Sequence, residues 1–386
     1  FHGNMNWPGQ PGFKGKMFHT ARWDYEYTGG DQKNPALDRL ADKRVAIIGT
    51  GATAVQAIPF LGKYAKQLYV LQRTPSTVDF RNNQPTDPAW VKSLRPGWQR
   101  ERQRNFQHAA MEMFKPGETD QICDIWTEIG RNLAAQFEAE GWPELGTNEF
   151  AARREVMDYR VMERLRDRVQ SIVTDKATAN ALKPWYRFLC KRPASNDDYY
   201  PTFNRPNVKL IDVSGTHGVE RMTEKGFVAD GVEYEIDCMI YASGYEVTSS
   251  LQRRWGIDEI TGRNGLSLYR YWEDGYKTFH GMTSVGFPNM FFTGFIQSAL
   301  NASTTEQMNR HTYHIAYLIG EALKRGATAV EPTAAAQDSW VAHVHATATD
   351  IWQFQRECTP SYFNGEGSEK KRFYAGEPYG PGWDAF

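Results

Sequence analysis

Cysteine, long apolar runs and an excess of charge are what this sequence has little of. Its 386 residues include 4 cysteines, which lie far apart and form no C-x-x-C pair, so neither a metal site nor a disulfide scaffold is expected. No run approaches the roughly 18 apolar residues that a membrane span needs. The net charge of −1 provides no basic field for binding nucleic acid. These features favour a globular protein of a reducing compartment, and we expect a cytoplasmic location.

A strand–turn–helix–strand pattern begins at Lys43. The run RVAII is short and apolar, as in a buried parallel strand, and apolar residues then recur at helical spacing from Ala54 to Leu61. A second strand-like run, QLYVLQRT, follows that helix. The pattern predicts a βαβ unit and therefore an α/β fold class.

The turn of this unit carries a dinucleotide fingerprint, G-x-G-x-x-[G/A]. It is formed by Gly49, Thr50, Gly51, Ala52, Thr53 and Ala54. The first glycine permits a tight turn, the second lets a pyrophosphate approach the backbone, and the helix start offers N–H groups to phosphate. The alternative is a glycine-rich turn in some other α/β sheet.

The end of the second strand indicates which nicotinamide cofactor would bind. A site that prefers NADH usually has Asp or Glu here to hold the ribose 2′-hydroxyl, whereas this sequence has Arg73 and Thr74. A guanidinium next to a hydroxyl suits a 2′-phosphate, so NADPH is favoured. The alternative is that Arg73 is a solvated charge at the end of a strand.

The rest of the chain divides by composition. Residues 1–33 are rich in Gly, Pro and aromatics and are expected to be an irregular connection, whereas 84–185 has helical periodicity and few strand signals. Strand patterns return at 207–213, 226–245 and 289–295, and a long helix is expected over about 304–324. A further amphipathic stretch covers 334–355.

A longer motif lies just before the βαβ unit. Residues 13–24 fit F-x-G-x-x-x-H-x-x-x-W-[P/D] through Phe13, Gly15, His19, Trp23 and Asp24. This resembles the signature of the type I Baeyer–Villiger monooxygenases, FAD- and NADPH-dependent enzymes that use O2 to convert a ketone to an ester or lactone. The resemblance implies that these residues form a hinge between two nucleotide-binding domains, and that His19 is not a proton-transfer group.

The resemblance also implies a domain plan. Residues 1–33 would be the interdomain linker, 34–83 with 186–240 the NADPH domain, 84–185 a helical insertion, and 241–386 the C-terminal part of the FAD domain. The fold class is then an α/β, Rossmann-like architecture with two dinucleotide-binding domains, here without the first FAD βαβ unit. The segment 237–245 resembles the strand that returns to the FAD domain, with Ser243 and Gly244 at the cofactor. The segment 294–303 resembles the region before a helix that starts at the flavin.

Lys191-Arg192-Pro193 and the following 198–208 resemble the family stretch that holds a catalytic arginine. On that alignment Arg192 is the catalytic residue and Lys191 assists in binding the cofactor phosphate. The chemistry needs a fixed cation, because oxygen adds to reduced flavin as an anionic peroxide and guanidinium keeps its charge near neutral pH. From the bare sequence, Lys-Arg-Pro is more often a surface turn.

The tail 358–367 resembles the substrate-side loop of the family, with Tyr362 and Phe363 next to the pocket. Tyr362 departs from the Trp that is frequent there in relatives. Details of the Trp-Asp motif ending and of this tail resemble members that act on bulky or cyclic ketones, so a small-molecule ketone and O2 are the expected partners.

The resemblance lacks one part. No fingerprint for FAD precedes Phe13, which suggests a truncated or cleaved chain that would not hold FAD tightly, and a separate N-terminal fragment could supply the missing part. Two alternatives stay open: a related flavin N- or S-oxygenase, and a non-catalytic NADPH-binding module.

Overall fold

The computed structural model describes residues 6–144, 147–216, 218–348, 351–368 and 377–386. Its contacts divide the chain into two compact units, which we call the sheet unit (His2–Leu94 with Pro143–Glu246) and the helical unit (Arg95–Trp142 with Val247–Phe386). In chain order the strands are β1 Lys16–His19, β2 Arg44–Ile48, β3 Gln67–Gln72, β4 Val78–Asp79, β5 Ala194–Ser195, β6 Val208–Asp212, β7 Arg221–Met222, β8 Gly226–Ala229, β9 Val232–Glu235 and β10 Cys238–Tyr241. The helices are α1 Tyr25–Thr28, α2 Ala52–Tyr64, α3 Pro88–Ser93, α4 Trp98–Ala110, α5 Glu128–Glu140, α6 Asn148–Ile172, α7 Lys176–Leu182, α8 Tyr199–Thr202, α9 Leu251–Trp255, α10 Leu268–Tyr271, α11 Thr304–Lys324, α12 Ala334–Thr347 and α13 Ile351–Arg356.

The sheet unit is built on a parallel sheet with the strand order β1-β10-β2-β3-β6. Every neighbouring pair in it is parallel. All five strands therefore end at the same edge, which we call the carboxyl edge. In an open α/β sheet this edge is where ligands bind.

Strand β2 shows why the sheet is buried on both faces. Val45 and Ile47 point into the core formed with α2, whereas Ala46 and Ile48 point into a second core on the opposite face. An antiparallel meander of β7, β8 and β9 supplies that second core with Phe227. A strand buried on both sides must be apolar at successive positions, as RVAII is.

Helix α2 covers the first face as its sequence predicts. Its buried residues include Ala54, Val55, Ile58 and Leu61, which recur at helical spacing. Gly62 lets α2 approach α8, because a Cβ there would lie 2.7 Å from the Thr202 methyl carbon. The strand–turn–helix–strand prediction over 44–72 is confirmed.

The first 33 residues differ from the irregular segment that was expected. Lys16–His19 form β1, which pairs with β10 from Lys16 opposite Cys238 to His19 opposite Tyr241. Composition hid this strand because glycine and proline flank it on the N-terminal side. The role of 1–33 as an interdomain linker stays a prediction.

The range 84–185 contains α3 to α7, as its helical periodicity predicts. Contacts assign Arg95–Trp142 to the helical unit and the rest to the sheet unit. In the helical unit α4 packs closely on α5, because Gly130 has no side chain and a Cβ there would collide with the Ala109 carbonyl. The treatment of 84–185 as one insertion, and the domain plan as a whole, stay predictions.

The helical unit also contains one wrong prediction. Residues 289–295 read as a strand, but the structure has an irregular segment there, with Asn289 at a φ of 59°. Phe292 is buried with Trp272 and Phe287, so apolar packing produced the strand-like pattern without a pairing partner. The long helix expected over about 304–324 is confirmed by α11.

Among the described residues, no helix combines the length and the apolar composition needed to cross a membrane.

Candidate nucleotide site and its connections

The glycine turn after β2 has the geometry that a dinucleotide phosphate requires. Gly49 adopts a φ of 106°, and a Cβ there would lie 2.6 Å from the Ala242 carbonyl oxygen. Gly51 has open space around its Cα and is the N-cap of α2, with no side chain capping the helix. The first glycine is therefore required by the fold, whereas the second leaves an open approach to the N–H groups of the helix.

Two hydrogen bonds connect Thr50 of the fingerprint to the segment that follows β3. The Thr50 hydroxyl donates to the Thr74 carbonyl at 2.7 Å, and the Ser76 hydroxyl donates to the Thr50 carbonyl. Thr50 and Ser76 are both buried. The turn and the segment after β3 are thus held as one piece.

The carboxyl edge brings together residues that are far apart in the sequence. Gly49 follows β2, Arg73 follows β3, and Ser243 and Gly244 follow β10. Ala242 donates its N–H to the Ile48 carbonyl at 2.9 Å, which joins the connection after β10 to the one after β2. Arg73 is exposed and Thr74 half-buried.

Lys191, Arg192 and Pro193 approach the same edge from another part of the chain. Directly after them β5 pairs with β4, and the Ala194 N–H donates to the Thr77 carbonyl at 2.9 Å. The Asn196 side chain donates to the Val55 carbonyl in the first turn of α2 at 3.3 Å. Lys191 is half-buried and Arg192 exposed. The backbone before β5 therefore lies beside the segment that follows Arg73.

An ion pair that the sequence did not reveal holds this region. The carboxylate of Asp79, which is buried, accepts hydrogen bonds from the Arg164 guanidinium at 2.7 and 3.2 Å, and Arg168 lies at 3.7 Å. Arg164 and Arg168 are four residues apart and so share one face of α6. That spacing is the only signal in the sequence, and it does not identify the partner carboxylate.

The 13–24 motif has a local structural reason at each fixed position. Phe13 is buried, and Gly15 has no room for a side chain because a Cβ would lie 2.7 Å from the Asp237 carbonyl oxygen. The Trp23 indole N–H donates to the Thr28 hydroxyl at 2.9 Å, and its ring meets Phe18 edge-on. The motif is thus a folded strand and turn.

Asp24 ends the motif with a cap and an ion pair. It accepts the Tyr27 N–H at the start of α1 and lies 2.6 Å from the Lys16 ammonium. The hydrogen bond from Lys16 is the main reason that the pKa of the Asp24 carboxyl is lowered. Burial raises the pKa of Tyr27 to about 12, so its hydroxyl stays protonated while donating to the Asp237 carbonyl.

His19 connects β1 to the segment after β10. The Ala21 N–H donates to its Nδ1 at 3.1 Å, so Nδ1 has no proton and Nε2 carries the hydrogen. Nε2 lies 3.1 Å from the Gly244 carbonyl oxygen and donates to it. Both ring nitrogens are thus used in hydrogen bonds to backbone groups, and the hinge role of His19 stays a prediction.

Tyr362 and Phe363 belong to the helical unit. Their ring centroids are 4.4 Å apart at the start of a 3₁₀ helix over Tyr362–Gly367, and Tyr362 is exposed. Asn364 fixes this loop: its amide nitrogen lies within 3.2 Å of three backbone carbonyls, those of Gln355, Cys358 and Thr359. Its amide oxygen accepts the N–H groups of Ser361 and Gly367.

No group of three His, Cys, Asp or Glu side chains in the part of the chain that the structure describes is arranged to bind a metal ion.

The parallel sheet, the fingerprint turn and the residues at the carboxyl edge define a dinucleotide-binding α/β protein. No family model matches the chain. Baeyer–Villiger monooxygenase ATR8 of Stachybotrys chlorohalonatus is 46% identical to it over 355 residues, which are 92% of this chain and 56% of that protein. The polycyclic ketone monooxygenase of the thermophilic fungus Thermothelomyces thermophila has a similar structure, with a TM-score of 0.87 and 38% identity over 99% of this chain and 62% of that one.

A second similar structure is that of OTEMO in complex with FAD and NADP, with a TM-score of 0.67 and 25% identity. It matches 93% of this chain and 65% of that one. Over nearly its whole length the chain is similar to Baeyer–Villiger monooxygenases, and its α/β fold matches part of the structures of these flavoproteins, which have two dinucleotide-binding domains. The chain spans less than two thirds of the length of the curated relatives it matches. These relatives give no support to a separate N-terminal fragment as a partner.

Proposed function

We propose that the protein is a flavin-dependent monooxygenase that carries out the Baeyer–Villiger oxidation of a ketone. Ketone, O2, NADPH and a proton would give the ester or lactone, NADP⁺ and water. The observation that carries the proposal is 46% identity to a Baeyer–Villiger monooxygenase over 92% of the chain. Similarity to a polycyclic ketone monooxygenase favours a bulky or cyclic ketone.

The residues at the carboxyl edge fit NADPH. The open face of Gly51 and the start of α2 would receive the pyrophosphate, and Arg73, Thr74 and Lys191 would bind the 2′-phosphate. Ser243 and Gly244 would border the cofactor after β10. A charge-assisted hydrogen bond contributes about 1.5–3 kcal/mol, so Arg73 alone would favour NADPH over NADH about ten- to a hundredfold.

Arg192 is proposed as the catalytic residue. A guanidinium stays charged throughout the neutral range and can stabilise negative charge that develops during the reaction. Bound FAD would supply the hydride acceptor and the activation of O2. His19, Trp23 and Asp24 would keep the segments that border the sheet in register, and Tyr362 with Phe363 would lie on the substrate side.

The test supplies the protein with FAD, NADPH, ¹⁸O2 and either a polycyclic ketone or cyclohexanone. We expect NADPH consumption and an ester or lactone that contains one labelled oxygen, with the polycyclic ketone preferred. Oxygenated product from an amine or sulfide but from no ketone would instead show an N- or S-oxygenase. NADPH binding without flavin binding or turnover would show a nucleotide-binding module. The proposed cytoplasmic location is a separate question, which fractionation of cells of the source organism would test.

A further inference from the structure

The segment Gly294–Ser303 in the helical unit is a buried loop without helix or strand. Gln297, Ser298 and Ala299 are fully buried, and Gln297 adopts a left-handed φ of 46°. Buried irregular backbone has no ladder to satisfy its N–H and C=O groups, and left-handed non-glycine residues are strained. Such a loop keeps one conformation only if other groups hold it.

Side chains from several elements satisfy this backbone. Gln307 on α11 donates to the Gly294 carbonyl at 3.1 Å, and the Trp340 indole on α12 donates to the Gln297 carbonyl at 3.2 Å. The Ser298 hydroxyl donates to the Gly294 carbonyl within the loop at 3.0 Å. These contacts fix its first half.

Gln107 on α4 holds the second half with both ends of its carboxamide. Its amide nitrogen donates to the Leu300 carbonyl at 3.1 Å, and its amide oxygen accepts the Ala302 N–H at 2.7 Å. One carboxamide thereby replaces the two hydrogen bonds that a neighbouring strand would make. Gln107 is 1% exposed, so water does not compete for these bonds.

Helix α4 is a firm support for this contact. Its neighbouring side chains are also held: Asn105 donates to the Thr119 carbonyl at 2.7 Å, and His108 lies between the carboxylates of Glu118 and Asp384 at 2.9 and 3.0 Å. The loop ends at Ser303, the N-cap of α11, so any displacement of the loop would move the start of a 21-residue helix.

We propose that Gln107 is a positioning residue for the monooxygenase reaction, and that it acts by holding Leu300–Ala302 and the start of α11 in the conformation needed for turnover. The proposal rests on the proposed function, under which this loop lies in the C-terminal part of the FAD domain. Gln107 itself touches neither cofactor nor substrate in this role.

The experiment compares Gln107→Met, which keeps the length of the side chain and removes both hydrogen bonds, with Gln99→Met on an exposed position of the same helix. Hydrogen exchange of the backbone amides is measured over 294–303, together with the amount of ester formed per NADPH consumed. That ratio does not depend on the fraction of protein that is folded. We expect exchange at Ala302 to become about tenfold faster and the ratio to fall at least about threefold, in Gln107→Met only.

Unchanged exchange at Ala302 would overturn the proposal, and so would an unchanged ratio in an active Gln107→Met protein. If the unsubstituted protein oxidises no ketone, the proposed function fails and with it the positioning role of Gln107 in that reaction, whereas faster exchange in the variant would still show that Gln107 holds the loop. The two failures are therefore distinguishable.

Discussion

At the carboxyl edge of the sheet, Arg73 is the residue at which the proposed choice of NADPH over NADH can be tested. It follows β3 directly and is exposed, so a substitution there leaves the core intact. We expect Arg73→Ala to raise the KM for NADPH about ten- to a hundredfold and to leave the KM for NADH nearly unchanged, because only NADPH has a 2′-phosphate. Steady-state kinetics with both cofactors measure this.

Arg73→Lys is the matched control. It keeps the charge but loses the two-pronged geometry of guanidinium, so its KM for NADPH should lie between those of the other two proteins. An equal rise of KM for both cofactors in Arg73→Ala would show that Arg73 has no role in choosing between them.

His19 shows what the sequence could not reveal at this scale. The motif predicted that the residue matters, and the hinge interpretation followed from resemblance. Its hydrogen bond from Ala21 is local, but its hydrogen bond to Gly244 depends on a partner 225 residues away in sequence. No local pattern specifies such a contact, and the same holds for Asp79 with Arg164.

Among the elements, the turn between β2 and α2 offers a direct separation of folding from binding. Gly51 has a φ of −72° and open space around it, so Gly51→Ala should unfold at a temperature close to that of the unsubstituted protein. It should nevertheless bind NADPH at least about tenfold more weakly, because the added methyl occupies the approach of the pyrophosphate. Thermal unfolding and a binding titration check the two statements.

Gly49→Ala provides the contrasting variant. Its Cβ would meet the Ala242 carbonyl, and its φ of 106° is strained for alanine, so we expect a loss of about 1–3 kcal/mol in the free energy of unfolding. If Gly51→Ala bound NADPH normally, the phosphate could not lie on this turn.

Elements were predicted well where apolar periodicity decides the structure. Strands β2 and β3 and helix α2 bury apolar faces that the sequence marks clearly. Helix α11 was also predicted, although the residues that it buries are the polar Glu306, Gln307 and His311. Strand β1 was missed because an edge strand needs only one neighbour, and the strand at 289–295 was wrong because buried aromatics mimic a strand.

For the whole molecule, stability should fall as the solution becomes acidic, in part because of His311. Burial is the main reason that the pKa of His311 is lowered to about 4, so the ring is neutral in the folded protein. In the unfolded chain a histidine binds its proton near pH 6.5, so the unfolded state takes up more protons between pH 6.5 and 4. The stabilisation is complete above pH 6.5 and is lost as the pH falls through that window, by up to about 3 kcal/mol.

The check is the free energy of unfolding measured from pH 7 to pH 4.5 in the unsubstituted protein and in His311→Gln. We expect a shallower slope in the variant. Equal slopes would mean that His311 is protonated in the folded state. His314 and His280 also have lowered pKa values, so some dependence on pH should persist.

The division of the chain into two units could not be predicted from the sequence. Residues 95–142 and 247–386 form one unit, although more than a hundred residues separate them in the sequence. Contacts such as the hydrogen bond from Gln107 to Leu300 hold the two segments together. Composition suggested one helical block over 84–185, because helices look alike whichever unit they pack in.

The loop fixed by Asn364 has a consequence for the lifetime of the protein. Asn364 precedes Gly365, and in such a pair the following backbone nitrogen can attack the side-chain carbonyl carbon, which releases ammonia and forms a succinimide that water then opens to aspartate or isoaspartate. In the folded loop five hydrogen bonds hold the amide away from that attack. Once converted, a carboxylate could not donate to the three carbonyls, so chemical ageing during an unfolded interval would leave the loop beside Tyr362 unable to re-form.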